Sequence, residues 1–210
     1  QAMLDDYRTR RDWLMPALDA FRALWPEVAL DISMGYGFEP LPALSRGQID
    51  MVITADPLPG EGVRYQPLFR YQNVLLLPAD HPLAAKSWIA PADLAGETLI
   101  TYPVEVERLD LFSRFPMPAG VTVERRTSEL TLMIIQLVAS GRGLTTLPQW
   151  AVTQATANGR LFTRPLGEQG LWSTLHAAIR SEDGEVAYLS EFIEMARSKC
   201  FATLEGLRPA

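Results

Sequence analysis

Short apolar runs alternate with helical patterns along almost the whole sequence, and glycine or proline marks each change of period. From Trp13 to Leu24 the residues Trp13, Leu14, Ala17, Leu18, Phe21 and Leu24 recur at helical spacing, and Trp25-Pro26 stops the pattern. Val28, Leu30 and Ile32 then alternate with Ala29, Asp31 and Ser33 as in a half-exposed strand, and the loop Gly35-Tyr36-Gly37 follows. A second helix is predicted from about Pro40 to Arg46 with Gly47 at its end, and Ile49 to Ile53 is a short apolar strand. Strand, helix, strand in repetition is the order of a parallel sheet flanked by helices.

The second half follows the same order. Tyr71 to Leu77 reads as a buried strand, Pro78-Ala79-Asp80-His81-Pro82 as a turn, Pro91 to Leu94 as the start of a short helix, and Thr98 to Thr101 and Val121 to Glu124 as strands. Ser128 is placed to cap a helix from Glu129 to Ala139 that Gly141 closes. Leu144 to Leu147, the helix Gln149 to Ala157, the strand Trp172 to Ile179 and the amphipathic helix Val186 to Phe201 complete the pattern. Two α/β lobes are therefore expected, joined by strand crossings near Tyr71 to Pro78 and Leu171 to Arg180. The expected division is 1–76 with 177–210, and 77–176.

Composition narrows the function. The formal charge of -6, from 25 acidic and 19 basic residues, repels a phosphate backbone, so direct nucleic-acid binding by this region is disfavoured. A single cysteine, Cys200, forms no internal disulfide, and two histidines give no zinc spacing, which points to a reducing, cytoplasmic setting and no metal. No run reaches the roughly eighteen apolar residues of a membrane span. Catalytic signatures are also missing. Gly35-Tyr36-Gly37 is no dinucleotide loop, because Pro40 stands where the third glycine belongs, and neither G-x-S-x-G nor a phosphate-binding P-loop occurs. His81 reads as a turn residue and His176 as a satisfied core histidine.

In open parallel sheets small ligands bind beyond the C-terminal ends of strands. The residues at such positions are Thr9, Gly35, Tyr36, Phe38 and Thr54 in the first lobe, and Thr101, Tyr102, Ser128, Thr131 and Thr145 in the second. So many hydroxyls suit a small polar ligand whose carboxylate is held by hydroxyl and amide donors, with no arginine required. Their convergence predicts a cleft between the lobes. Glu39 could pair with an ammonium group. Each residue also has a structural reading: Ser128 as a helix cap, Thr54 and Thr101 as strand ends, Tyr36 and Phe38 as core lids.

Four stretches together resemble the effector-binding region of LysR-type transcriptional regulators: WLMPALDAFRALWPEVALDI, LSRGQIDMVIT, VLLLPADHPLA and QLVASGRGLTTLP. The resemblance implies two Rossmann-like lobes joined by two crossover strands, a type 2 periplasmic-binding-protein-like α/β fold, and a small-molecule effector in the interlobe cleft. It implies no cofactor and no enzymatic activity. Within the family, GYGFEPLPALSRG, ETLITYPVEVERLDLF and LGEQGLWSTLHAAIR are most similar to regulators of methionine biosynthesis, which implies homocysteine as the effector. The family's winged helix-turn-helix is not in this sequence, so an excised regulatory domain is expected. DNA would be reached only through the missing part, with RNA polymerase as a further contact of the whole protein. Residues 1–12 depart from the family pattern, in which the first strand is apolar, and Tyr7-Arg8-Thr9-Arg10 stands where the methionine regulators carry a cysteine- and serine-bearing segment, with only Thr9 matching its hydroxyl. A homodimer or tetramer is implied, with Leu132, Ile134, Ile135 and Val138 forming a wide apolar helix face. A periplasmic solute-binding protein and a small two-lobed enzyme are the rival readings.

Overall fold

The structure, a computed structural model, describes residues 14–29, 40–204 and 206–210. In chain order the described helices are α1 (Met15–Leu24), α2 (Leu41–Ser45), α3 (Asp110–Arg114), α4 (Thr131–Ala139), α5 (Gln149–Thr156) and α6 (Ala187–Thr203). The strands are β1 (Val52–Thr54), β2 (Val63–Pro78), β3 (Thr98–Thr101), β4 (Glu124–Thr127), β5 (Thr145–Pro148), β6 (Leu161–Pro165), β7 (Leu171–Arg180) and β8 (Leu207–Arg208). Two compact units result: Met3–Arg70 with Thr174–Ala210, and Tyr71–Ser173. The chain passes from one to the other inside β2 and inside β7, at 70/71 and 173/174, against the expected 76/77 and 176/177.

In the first unit, Pro16 starts α1, and Ala17, Leu18 and Phe21 form its buried stripe. That stripe meets α6, where the Phe21 and Phe192 rings stand edge to face at 5.5 Å and the Trp25 indole N–H donates to Glu191 at 2.9 Å. Pro40 opens α2, and Gly47, at φ 69°, lets the chain reverse after it. Strand β1 pairs antiparallel with β7, Thr54 lying opposite His176. Arg180 fastens this corner: its guanidinium donates to the carbonyls of Leu44 and Ile49 and pairs with Asp50 and Asp183 at 2.8 and 2.6 Å. Cys200 on α6 is fully buried, and desolvation pushes its thiol up to about 12.

In the second unit β2 lies between β5 and β6, antiparallel to both. Its apolar run is continuous because both faces are covered. Leu75 and Leu77 pack with Leu94, Leu99, Leu111 and Phe112, while Val74 and Leu76 pack with Ile100, Ile134, Val138 and Leu161. The parallel sheet expected from the element order is realised by β3 and β4, and by Leu144, whose N–H and carbonyl bond Thr98 and Ile100. The pairings β1–β7, β2–β5 and β2–β6 are antiparallel, and β7 and β8 also pair with β2.

Several boundaries differ from the sequence reading. The strand expected at Val121 to Glu124 begins at Glu124 instead, since Gly120 in the left-handed region turns the chain and the ladder to β3 starts only at Thr98. Helix α4 starts at Thr131 with Leu130 as its N-terminal flank, so Ser128 does not cap it. The wide apolar face expected on α4 divides: Ile134 and Val138 are in the core, Ile135 packs half-buried against it, and Leu132 is exposed to 74%, its neighbours Leu130 and Met133 being exposed too. His81 is a turn residue, its Nδ1 accepting from the Leu83 N–H.

Gly143, at φ 148°, explains why β5 can start so close to β3. A Cβ there would lie 2.6 Å from the Thr98 carbonyl oxygen and 3.0 Å from Ile100 Cγ1. Gly143→Ala is expected to destabilise the protein by ~2 kcal/mol or more, measured by urea unfolding.

Candidate functional site

The C-terminal ends of β3 and β4 bring four of the predicted residues together in the second unit. Thr101, 6% exposed, ends β3, and Tyr102 follows. The parallel register sets Thr101 opposite Thr127, and the Ser128 N–H then donates to the Thr101 carbonyl at 2.9 Å. One turn into α4, the Thr131 hydroxyl meets the Tyr102 hydroxyl at 2.7 Å. Thr145 lies beneath this group, and its hydroxyl, 1% exposed, donates to the Ile100 carbonyl at 2.7 Å. That bond spends its only proton on the sheet.

Arg125 holds the arrangement in place. Its Nε donates to Thr101 Oγ1 at 2.8 Å, and Nη2 donates to the carbonyls of Tyr102 and Val104 at 2.7 and 2.5 Å. Thr101 in turn donates to the Tyr102 carbonyl at 3.2 Å. The sequence reading passed over Arg125, because an arginine beside a second one in an edge strand carries the signal of a solvated face.

A second polar group adjoins, also unforeseen. Asn73 donates to the Ser173 hydroxyl at 2.6 Å, Ser173 donates to Asp110, and Arg114 joins Asp110 at 3.2 Å and the Trp172 carbonyl at 2.7 Å. Tyr71 is buried against Trp150, ring centroids 5.0 Å apart. Burial, and then the Asp110 charge, raise its hydroxyl well above the ordinary tyrosine range, so it stays neutral; Ser173 and Tyr102 also act on it. This apposition of distant positions has no local sequence signature.

In the first unit Thr54 ends β1, and its hydroxyl closes a tight turn with Asp56, accepting from the Asp56 N–H at 3.0 Å. Thr9, Gly35, Tyr36, Phe38 and Glu39 lie outside the described residues. His176 departs from the satisfied core residue expected: its Nδ1 is buried with no hydrogen-bond partner, and its ring stands edge to face with Tyr65. Among the described residues no cluster of three or more His, Cys, Asp or Glu could hold a metal ion, and no helix is long and apolar enough to cross a membrane.

Residues 9–201 match the family model described as LysR substrate binding domain, so the chain belongs to the LysR-type regulators, a family of transcription factors and not of enzymes. Its mixed α/β structure is that of their regulatory domains, the type 2 periplasmic-binding-protein-like fold. Among its relatives is the HTH-type transcriptional regulator MetR of Salmonella typhimurium, 43% identical over 198 residues, 94% of this chain and 62% of the relative. MetR of Escherichia coli K12 is 45% identical over 186 residues, 89% of this chain and 58% of the relative. The chain thus spans about 60% of the length of these curated relatives. The solved regulatory domain of MetR from N. meningitidis is 43% identical with a TM-score of 0.82, covering 98% of this chain and 95% of that one. The reduced OxyR regulatory domain of a Pseudomonas, 23% identical with a TM-score of 0.73 and 94% coverage of both chains, shares the fold.

Burial lowers the pKa of His176 below its ordinary 6.5. At this site the unfolded chain then binds more protons than the folded one below that value, so the contribution of His176 to stability falls as pH drops through about 6.5 and is fully present above it. His176→Gln is expected to flatten this slope, read from urea midpoints at about pH 5.5 and about pH 7.5.

Proposed function

We propose that this chain senses homocysteine for a regulator of methionine-biosynthesis genes. The observation that carries the reading is the group Thr101, Tyr102, Ser128 and Thr131, drawn from two parallel strand ends and a helix start, in a chain whose relatives are named MetR. Such a group offers hydrogen bonds at fixed positions with no nucleophile and base arranged for chemistry, which suits recognition without turnover. Effector binding would act on transcription through differential affinity for two states of the full-length protein, whose DNA contacts lie in its helix-turn-helix region. The setting is cytoplasmic, and RNA polymerase is a contact of the whole protein.

The partner of the exposed apolar residues Leu132 and Met133 on α4, and of Leu130 just before it, is a second copy of the chain. Leu132→Glu is expected to raise the dimer dissociation constant by about tenfold or more, measured by analytical ultracentrifugation.

Calorimetric titration with L-homocysteine, with L-methionine and L-cysteine as controls, tests the effector. Selective heat with homocysteine is expected, and Thr101→Val should weaken it about fivefold without loss of folding. A folded protein that gives no heat with homocysteine would remove that assignment.

A further inference from the structure

We propose that Arg125 is the anchor for the carboxylate of the bound effector, an inference that rests on the effector-sensing reading above. Three of the five guanidinium N–H groups are used, and all three go to neutral oxygens: the Thr101 hydroxyl and the Tyr102 and Val104 carbonyls. No carboxylate lies within ion-pair distance of Arg125 among the described residues, although the group is half-buried. Glu124, its neighbour in sequence, accepts from Thr98 at the start of the β3–β4 pair, whereas the Arg125 guanidinium reaches Thr101 at its end. Arg125 is therefore a positive charge held rigidly by neutral acceptors, with both N–H groups of Nη1 unengaged among the described residues. Partly buried charges of this kind take a counter-ion, and a guanidinium fixed on one edge presents its remaining donors in a set direction.

Counting protons points the same way. A carboxylate needs donors, and the sequence reading assigned them to hydroxyls. Thr101 has given its proton to the Tyr102 carbonyl, Thr145 has given its own to Ile100, and Tyr102 and Thr131 commit one of their two to each other. Three of the four hydroxyl protons of Thr101, Tyr102, Thr131 and Thr145 are thus committed, which leaves these groups more acceptor than donor capacity and suits the donor groups of a ligand, while Arg125 supplies donors for its carboxylate. The ligand class is a small carboxylic acid, an amino acid included.

The test has two parts on this 210-residue chain. Acetate is titrated into 15N-labelled protein at constant ionic strength while the Arg125 Nε–H signal, assigned through its absence in Arg125→Lys, is followed by NMR. Binding of L-homocysteine is then compared with that of 3-aminopropane-1-thiol, its decarboxylated counterpart, in wild type, Arg125→Gln and Arg125→Lys, each checked for an unchanged unfolding midpoint. Expected are a saturable acetate shift and a wild-type preference for homocysteine of about tenfold or more. Arg125→Gln should erase that preference by weakening homocysteine alone, and Arg125→Lys should restore part of it. An unmoved Nε–H signal, or an equal loss of both ligands in Arg125→Gln, overturns the anchor. An acetate shift without homocysteine binding upholds the anchor and removes the homocysteine assignment.

Discussion

Burial of β2 on both faces is the constraint on which the second unit depends. Four successive residues, Val74 to Leu77, are each 4% exposed or less, so neither face can be left to solvent. One face collects Leu94, Leu99, Leu111 and Phe112, the other Ile100, Ile134, Val138 and Leu161. Each such side chain contributes about 1.5–3 kcal/mol on full burial, which sets the hydrophobic contribution of the strand well above any one hydrogen bond around it. Ile134 and Val138 must then turn inward to cover Val74 and Leu76, and that orients α4 so that Thr131 faces Tyr102. The polar group at the strand ends is thus positioned by apolar packing beneath it.

The same packing explains which residues of α4 remain outside. Its sequence is apolar nearly all round, and only the stripe through Ile134 and Val138 finds a place in the core. Leu132 and Met133 are left on the opposite side. Periodicity alone shows that such a helix is apolar on more than one side; it does not show which side the sheet takes, because that depends on the rotation β2 imposes.

Legibility in the sequence follows the range of the interaction involved. The helices α1 and α6 were readable from a 3.6-residue stripe, and α2 and α5 from proline at the start and glycine after the end; all are local signals, and the observed bounds agree within a few residues. Strand β4 was misplaced because its residues Glu124 to Thr127 are polar, and only pairing with β3 makes them a strand. Thr101, Tyr102 and Thr131 were legible as strand-end and helix-start positions, whereas Ser128, expected at the helix start, follows the end of β4 instead. Arg125, and the chain from Asn73 through Ser173 to Asp110, were not. Their roles arise from contacts 21 to 100 residues apart, which no spacing rule encodes.

The state of Cys200 bears on any sulfur-containing ligand. With its thiol at about 12, the reactive thiolate at neutral pH is about one part in 10⁵. Its sulfur is enclosed by α6 and the core, and it donates to the Arg197 carbonyl. A thiol metabolite reaching this domain would find in Cys200 no competent partner for disulfide exchange. For any such ligand, Cys200 would keep no covalent memory of an earlier oxidising episode.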